Sequence, residues 1–314
     1  NVQDVNEAAP VFTAGETGTS TPNEGTTAAG TFAATDTDGT ATQTYSILTA
    51  AQNAASVDHD LFSVASGGVL TFATAPNYES AGCGSGDDSN TCAVVIQVTD
   101  GANTDTITVT VTVQDLNDET PAFTSSGTPS INENVRNVLT LAASDTDAGD
   151  SATFAITGGA DSELFEIDGG TTLRFAAAAG ANYESPGDAG TNNEYVVVVT
   201  ATDTGANAVA QTITITIQDV NEFSPVFGDG DTATATPNEN QQAVGTYAAT
   251  DADGSATQTY SILTAEQNAA SVDHDLFSVA GGGVLTFQAS PNYEDAGCGS
   301  GDDSNTCAVV IQVT

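Results

Sequence analysis

The chain has 314 residues, of which 42 are aspartate or glutamate and only two are lysine or arginine, giving a net charge of −40. Phosphate groups of nucleic acids and anionic lipids are bound through lysine and arginine, so this composition excludes nucleic acid as a partner and argues against docking on anionic membranes. The sequence contains no apolar run long enough to span a bilayer.

Short strands separated by turn signals are predicted along the chain. The apolar run at 93–98 is typical of a central strand, and residues 106–113 alternate Thr with Ile or Val, which predicts a strand with Thr facing outward. Residues 195–199 and 212–217 repeat the two patterns. Tight turns are predicted at the glycine pairs Gly67-Gly68, Gly169-Gly170 and Gly282-Gly283. The predicted class is all-β, with about seven strands per domain, as in sandwich domains.

Three copies of one pattern are predicted, at residues 8–117, 118–221 and 222–314, after the end of a preceding linker at 1–7. Residues 40–99 and 255–314 align without gaps and differ at seven positions, which indicates a duplicated pair of domains within a long array. The third copy lacks its last strand. No signal peptide opens the chain, so we expect it to be a segment of a longer protein.

Four cysteines form two local pairs, Cys83 with Cys92 and Cys298 with Cys307, each in an identical Gly-rich acidic loop. The even number and the identical spacing favour two disulfides in an oxidising compartment. Zinc is the alternative, but two thiolates with no histidine nearby make a poor tetrahedral site. The second copy has no cysteine in the corresponding loop, residues 185–194, so the fold does not require the bridge.

Acidic motifs recur in all three copies at nearly fixed offsets. Each Asn-Glu pair, ending at Glu24, Glu133 and Glu239, is followed twelve residues later by Asp-X-Asp and then by Asn-Tyr-Glu. Further acidic motifs open the chain and separate the copies, at 4–7, 115–118 and 219–222. Because hard cations prefer oxygen ligands and Ca²⁺ takes six to eight of them, the repeats predict calcium binding.

In this combination the whole chain resembles cadherin repeats. Five motifs occur in the family's order: Glu24, Asp36 with Asp38, Asn77-Tyr78-Glu79, Asp100-Gly101, and the linker 115–119 followed by Pro121-Ala122-Phe123. The resemblance implies three tandem Ig-like Greek-key β-sandwiches in a linear rod. It also implies about three Ca²⁺ at each complete junction between domains, with ligands from both neighbours.

Ligands are carried over from the family motif by motif. For the junction of copies 1 and 2 (the first junction) the resemblance implies Glu24, Asn77, Glu79, Asp115, Leu116, Asn117, Asp118, Glu119, Asp145, Asp147 and Asp203. For the junction of copies 2 and 3 (the second junction) it implies Glu133, Asn182, Glu184, Asp219, Val220, Asn221, Glu222, Asp251 and Asp253. Two half-sites are implied at the ends, from Asp4, Asn6, Glu7, Asp36, Asp38 and Asp100, and from Glu239, Asn292 and Glu294.

The resulting functional prediction is a calcium-rigidified extracellular rod in a long prokaryotic surface protein or fibre. Its partners are calcium, neighbouring repeats and other copies of the protein. One alternative is an adhesin module that binds glycans or proteins, and another is a filament subunit in which residues 1–6 complete the third domain of a neighbouring chain by strand addition. No enzyme activity is expected, because the carboxylates fall on junction motifs and His59 and His274 are each isolated in a polar turn.

Overall fold

The computed structural model describes residues 5–38, 42–80, 82–83, 89–147, 149–254, 257–295, 297–298 and 305–314. Strands dominate these residues. The helices in this part of the chain are five 3-10 turns, at His59–Leu61, Ser66–Gly68, Ser162–Leu164, His274–Leu276 and Gly281–Gly283. The predicted all-β class is therefore confirmed.

The strands of the described residues fall into three successive sets. The first set is β1 (Val11–Phe12), β2 (Thr17–Ser20), β3 (Ala28–Thr31), β4 (Ala34–Thr35), β5 (Thr44–Ile47), β6 (Phe62–Ala65), β7 (Val69–Phe72), β8 (Thr91–Thr99) and β9 (Thr104–Thr112). The second is β10 (Ala122–Phe123), β11 (Ser130–Asn132), β12 (Asn137–Thr140), β13 (Ala143–Ser144), β14 (Thr153–Gly158), β15 (Phe165–Asp168), β16 (Thr172–Phe175), β17 (Glu194–Thr202) and β18 (Ala208–Gln218). The third is β19 (Val226–Phe227), β20 (Ala243–Thr246), β21 (Ala249–Thr250), β22 (Tyr260–Ile262), β23 (Phe277–Ala280), β24 (Val284–Phe287) and β25 (Ile311–Val313).

Two sheets of the first set enclose one core. The four-stranded sheet has the order β2-β9-β8-β5 and the three-stranded sheet the order β3-β7-β6, while β1 pairs with β4. The core draws on both sheets, including Ala29, Phe62, Leu70 and Phe72 from one and Val94, Ile96, Ile107 and Val109 from the other. Burying a side chain of the size of Leu or Phe stabilises the fold by about 1.5–3 kcal/mol. The first set is thus a β-sandwich.

The alternation in residues 106–113 gives a strand of the predicted kind. Strand β9 pairs along its whole length with β8 in antiparallel register, from Thr104 opposite Thr99 to Thr112 opposite Thr91. Its Ile and Val side chains are fully buried, as are those of the apolar run in β8. Because successive side chains of a strand point to opposite faces, the intervening Thr residues lie on the outer face, as predicted.

Both sheets recur in the second set, and the third set has the three-stranded sheet and a two-stranded part of the other. In the second set the sheets have the orders β11-β18-β17-β14 and β12-β16-β15, and in the third β20-β24-β23 is joined by the pair β22 and β25. Strand β2 pairs in parallel with β9, and β11 in the same way with β18. The third set has a smaller core, centred on Phe277, Leu285 and Phe287. Tandem β-sandwich repeats are therefore confirmed.

The contacts within the chain define two compact units. One contains residues 1–125, 141–155 and 200–211, and the other residues 126–140, 156–199 and 212–314. This division passes through the second set of strands and does not follow the predicted domain limits, which remain predictions. Every residue predicted for the first junction belongs to the first unit, and every residue predicted for the second junction belongs to the second.

The three glycine pairs form the predicted turns. Both glycines of each pair have positive φ, for example +78° at Gly67 and +74° at Gly68. A β-carbon at Gly68 would also lie only 1.9 Å from the carbonyl oxygen of Phe32. Glycine is required there by backbone conformation and by space.

Both predicted disulfides are present, Cys83–Cys92 and Cys298–Cys307, and zinc is excluded as the explanation of the cysteine pairs.

The second repeat holds the corresponding loop with carboxylates instead. Asp161 accepts a hydrogen bond from the backbone of Ala189 at 2.7 Å. Asp188 accepts hydrogen bonds from the backbone of Asn192 and Asn193 at 3.0 and 3.1 Å. Asp161 and Asp188 are both buried. Hydrogen bonds to these carboxylates hold the loop of the second repeat, which has no disulfide.

We predict that reduction of the disulfides destabilises the first and third repeats by about 2–3 kcal/mol each, because each bridge closes a short loop in the unfolded chain. The second repeat should keep its stability, since its loop depends on Asp161 and Asp188. Denaturant unfolding followed by hydrogen exchange, with and without reductant, measures each repeat separately. An equal loss in all three repeats would contradict the proposed independence of the second loop.

Candidate metal centres

Glu24 connects three of the recurring motifs. Its side chain is only 3% exposed. One carboxylate oxygen accepts a hydrogen bond from the backbone N–H of Tyr78 at 2.6 Å, and the other accepts one from Leu116 at 2.8 Å. Glu24 thereby fixes the Asn-Tyr-Glu motif and the linker beside each other, although up to 92 residues separate them in the chain.

Glu133 makes the same two contacts at the second junction. It is buried, and its two oxygens accept hydrogen bonds at 2.9 Å from the backbone N–H groups of Tyr183 and Val220. The sequence pattern that repeats from copy to copy therefore folds into the same local arrangement. In each case backbone N–H groups hold the Glu side chain in place without a bound ligand.

Glu79 lies beside Glu24 and is held very differently. Both of its carboxylate oxygens are buried, and no other described residue donates a hydrogen bond to them. One of its oxygens lies within 4.8 Å of oxygens of Glu24 and Asp115, and a second group joins Glu79 with Asp118 and Glu119. Burial raises the pKa of Glu79, the backbone N–H of Glu79 itself lowers it, and the negative charges of Glu24, Asp115 and Asp147 raise it further.

Glu184 has the corresponding environment at the second junction. Its two oxygens are buried without a donor among the described residues. It belongs to two groups of close carboxylates, one with Glu133 and Glu222 and one with Asp219 and Asp253. Burial raises its pKa, and the charges of Glu133, Asp219 and Asp253 add to that effect. Glu79 and Glu184 therefore occupy equivalent buried and acidic environments, one at each junction.

A third group at the first junction comes from the second repeat and consists of Asp145, Asp147, Asp150 and Asp203. Asp147 is 5% exposed. Its Oδ2 accepts a hydrogen bond from the backbone of Glu119 at 3.1 Å, while its Oδ1 is buried without a partner in the described part of the chain. Burial raises the pKa of Asp147, and the charges of Asp145, Asp115 and Asp118 contribute. Asp150 was not among the residues predicted from the sequence.

Asp253 occupies the position of Asp147 at the second junction. It is only 1% exposed, and its Oδ2 accepts hydrogen bonds from the backbone of Glu222 and Phe223 at 2.9 and 2.7 Å. Its Oδ1 is buried with no partner among the described residues. Asn221 and Asp251 line a cavity of about 190 Å³ and belong to none of the close carboxylate groups found in the described residues.

The two motif asparagines already use their amide oxygens within local turns. Oδ1 of Asn77 accepts a hydrogen bond from the backbone of Ser80 at 2.6 Å, and Asn182 does the same with Ser185 at 2.6 Å. A ligand role for either oxygen therefore remains a prediction that depends on its second lone pair.

The predicted half-sites at the two ends are less developed. Asp38 accepts a hydrogen bond from Ala8 at 2.6 Å, and Asp100 accepts one from Asn103 at 2.6 Å. Where the structure describes the chain, no group of three close carboxylates includes Glu7, Asp36, Asp38 or Asp100, or the third repeat's Glu239 and Glu294. Glu239 does accept a hydrogen bond from Tyr293 at 3.1 Å, as Glu24 does from Tyr78. Asp4 lies outside the described residues.

Charge compensation is the main physical question at both junctions. The first junction gathers Glu24, Glu79, Asp115, Asp118, Asp145, Asp147 and Asp203. Two like charges about 4 Å apart repel by roughly 4 kcal/mol at an effective dielectric constant of 20. The chain's two arginines cannot compensate, because Arg136 pairs with Glu166 and Arg174 pairs with Glu166 and Asp168. An oxygen-only donor set with buried, donorless carboxylates fits Ca²⁺.

Comparison with known proteins gives the family. No protein-family model matches the chain. The chain is 31% identical to human Protocadherin Fat 1 over 239 residues, a match that covers 67% of this chain and 5% of that protein. It is 36% identical to human Protocadherin-16 over 129 residues, covering 38% of this chain and 4% of that protein. The chain is made of cadherin repeats. Its length is thus a small part of the length of these curated relatives.

Solved structures agree on the fold of the cadherin repeats. The extracellular domain of Protocadherin GammaB4 matches with a TM-score of 0.59 and 23% identity, over 93% of this chain and 46% of that one. Mouse Cadherin-23 EC22-24 matches with a TM-score of 0.58 and 20% identity, over 92% of this chain and 90% of that one.

The cadherin repeats and the two disulfides identify this segment as extracellular. Within the described ranges, no helix has the length and the hydropathy needed to cross a bilayer.

Proposed function

We propose that these cadherin repeats bind calcium at the linkers between them, and that this binding makes the extracellular segment rigid. The observation that carries the proposal is the pair Glu79 and Glu184, whose buried carboxylates receive no hydrogen bond from another described residue and have several acidic neighbours. Bound calcium would supply the positive charge that the protein lacks there. Without it, carboxylates from consecutive repeats repel one another across the linker.

The chain's own residues hold the linker ready for the metal. Glu24 and Glu133 fix the start of each linker through backbone N–H groups, and Asp147 and Asp253 fix its end in the same way. Each of these carboxylates belongs to a group of close oxygens. The group of Glu184, Asp219 and Asp253 contains residues from before, within and after the second linker, so a cation bound there would restrain the second and third repeats relative to each other.

The carboxylate groups support about three ions at the first junction. The groups are Glu24, Glu79 and Asp115; Glu79, Asp118 and Glu119; and Asp145, Asp147, Asp150 and Asp203. The second junction has two such groups within the described residues, Glu133, Glu184 and Glu222, and Glu184, Asp219 and Asp253. The predicted amide and carbonyl ligands complete the proposed sites: Asn77, Leu116, Asn117, Asn182, Val220 and Asn221.

Neither alternative function has comparable support. An adhesin module for glycans would favour a cluster of exposed aromatic side chains, but Phe223 and Tyr293 are the exposed aromatics among the described residues. Strand addition between chains would use residues 1–6, of which residues 1–4 lie outside the described part of the chain. The absence of enzyme activity stays a prediction, which the similarity to adhesion proteins favours. The neighbouring repeats and other copies of this protein are the proposed partners.

Calcium titration of the metal-free protein tests the proposal directly. We expect calorimetry to detect several sites per chain with dissociation constants of about 10⁻⁴ to 10⁻³ M, as in other extracellular modules. X-ray scattering in the same samples should show an increase in the maximum dimension as the sites fill, because repulsion at the linkers is removed. Absence of binding at millimolar calcium would refute the proposed function.

A further inference from the structure

The second repeat has two residues, Asp150 and Thr204, without a counterpart beside the same motifs in the other repeats. Asp150 follows the Asp145-X-Asp147 motif, whereas the first and third repeats have no acidic residue at the corresponding place, 39–42 and 254–257. Thr204 lies between Asp203 and Gly205, whereas in the first repeat Asp100 is followed directly by Gly101. Neither residue belongs to a motif that carries the family resemblance.

These two residues meet on the linker of the first junction. The Thr204 hydroxyl donates a hydrogen bond to Asp150 Oδ1 at 2.7 Å. The side-chain amide of Asn117 donates to Asp150 Oδ2 at 2.6 Å and to Thr204 Oγ1 at 3.1 Å. Asn207 donates to Asn117 Oδ1 at 2.9 Å, so all polar atoms of the Asn117 amide group have partners.

The close fit around Asn117 depends on a glycine. A β-carbon at Gly205 would lie 2.1 Å from Asn117 Oδ1, so any other residue there would displace the linker side chain. The backbone N–H of Ser151 also donates a hydrogen bond to Asp150 Oδ1 at 2.7 Å, so both carboxylate oxygens of Asp150 have donors.

The same residues border the proposed metal site. Asp115, Asn117, Asp147, Gly149, Asp150 and Thr204 line a cavity of about 210 Å³. The buried Asp147 contributes Oδ1, which has no partner in the described part of the chain. Asp150 is a member of the close group with Asp145, Asp147 and Asp203, and it also contacts the linker through Asn117.

We propose that Asp150 and Thr204 form a latch that holds Asn117 against the second repeat without metal and so positions the first linker for calcium. The latch itself does not need the metal, and only its effect on affinity rests on the proposed function. Because supporting residues next to a metal ligand commonly change affinity 10–100-fold, and because this network is partly exposed, we expect an effect of about tenfold. The first junction should then fill at lower calcium concentration than it would without the latch.

Two nearly isosteric variants test the latch, Asp150→Asn and Thr204→Val. Nuclear magnetic resonance of the protein in EDTA should show the side-chain amide of Asn117 protected from hydrogen exchange in the wild type and unprotected in both variants. In calcium titrations followed at the linker amides, both variants should need about tenfold more calcium at Asp118, with no change at Glu222. Glu163→Gln, which removes one exposed charge from the same repeat, should change neither quantity.

The measurement in EDTA and the calcium titration test the latch and the proposed function separately. If Asn117 stays protected in EDTA in both variants, the latch is overturned whatever calcium does. If the wild type binds no calcium, the proposed function fails, while protection of Asn117 in EDTA still decides the latch. Thr204→Ser keeps the hydroxyl and serves as the folding control, so loss of protection in that variant would overturn the role given to the Thr204 hydroxyl.

Discussion

Removal of calcium with a chelator is expected to lower the melting temperature of the protein by on the order of 10 °C. A ligand that binds only the folded state stabilises that state by about 1.4 kcal/mol per site at ten times its dissociation constant, so about three sites contribute roughly 4 kcal/mol. For a domain of about one hundred residues, each kcal/mol corresponds to roughly 4–8 °C. The effect should be largest for unfolding steps that involve the junctions, because Glu79 and Glu184 have no donor among the described residues.

Differential scanning calorimetry in calcium and in EDTA measures this effect at constant ionic strength. Magnesium is the matched control, because it is smaller, demands octahedral geometry and keeps its water, so it should restore little of the stability. Addition of excess calcium to the chelated sample should restore the original transition. Superimposable curves with and without calcium would mean that the acidic junctions are stable without a cation.

Most of the fold could be predicted from local patterns. Alternation in 106–113 predicts a strand with a buried Ile and Val face, and the structure has that strand with that face. The pairs Gly67-Gly68 and Gly282-Gly283 predict turns because few other residues adopt positive φ at low cost. The disulfide pairs follow from two identical short loops. These predictions hold because each depends on residues close together in the sequence.

The candidate sites were predictable in composition but not in detail. The repeated motifs identify Glu24, Glu79 and Asp147 as neighbours, and the structure brings them together. The sequence could not distinguish Glu24 from Glu79. Glu24 accepts two backbone hydrogen bonds from other residues, whereas the buried oxygens of Glu79 receive none from another described residue. That distinction depends on which backbone N–H groups the folded chain directs at each carboxylate, and those lie far away in the sequence.

Asp150 was missed for a related reason. The family resemblance assigns ligands by motif, and Asp150 falls just after a motif in only one of the three repeats. Its contact with Asn117 spans 33 residues and its contact with Thr204 spans 54. A signal was nevertheless present, because an acidic residue that appears beside a recurring motif in one copy alone marks a difference between junctions.

The substitution Glu79→Gln is expected to have opposite effects with and without calcium. In EDTA the variant should be more stable than the wild type, by on the order of 1 kcal/mol, because it removes one of several like charges that lie within a few ångströms. In calcium it should be less stable, since a ligand shared by two carboxylate groups is lost. Glu184→Gln should behave in the same way at the second junction, where Glu184 has the same environment.

The stability of the wild type without calcium should depend on pH in the direction that the same charge repulsion predicts. Because burial and neighbouring charges raise the pKa of Glu79 in the folded protein, protonation favours folding. Without calcium, stability should therefore rise as pH falls from neutral through that raised pKa, and Glu79→Gln should reduce this rise. With calcium, the same protonation competes with the metal, so apparent affinity should fall as pH falls.

Glu24→Gln is the control that separates repulsion from structure. Both oxygens of Glu24 accept backbone hydrogen bonds, so an amide nitrogen in place of one oxygen would leave Tyr78 or Leu116 without its acceptor. This variant should be destabilised both in EDTA and in calcium, by about 1–3 kcal/mol for a buried donor left unpaired. Urea unfolding of the three variants under both conditions provides the comparison. If Glu79→Gln destabilises the protein in EDTA as Glu24→Gln does, the donorless carboxylate is not a source of repulsion, and the argument for a cation at the junctions loses its main support.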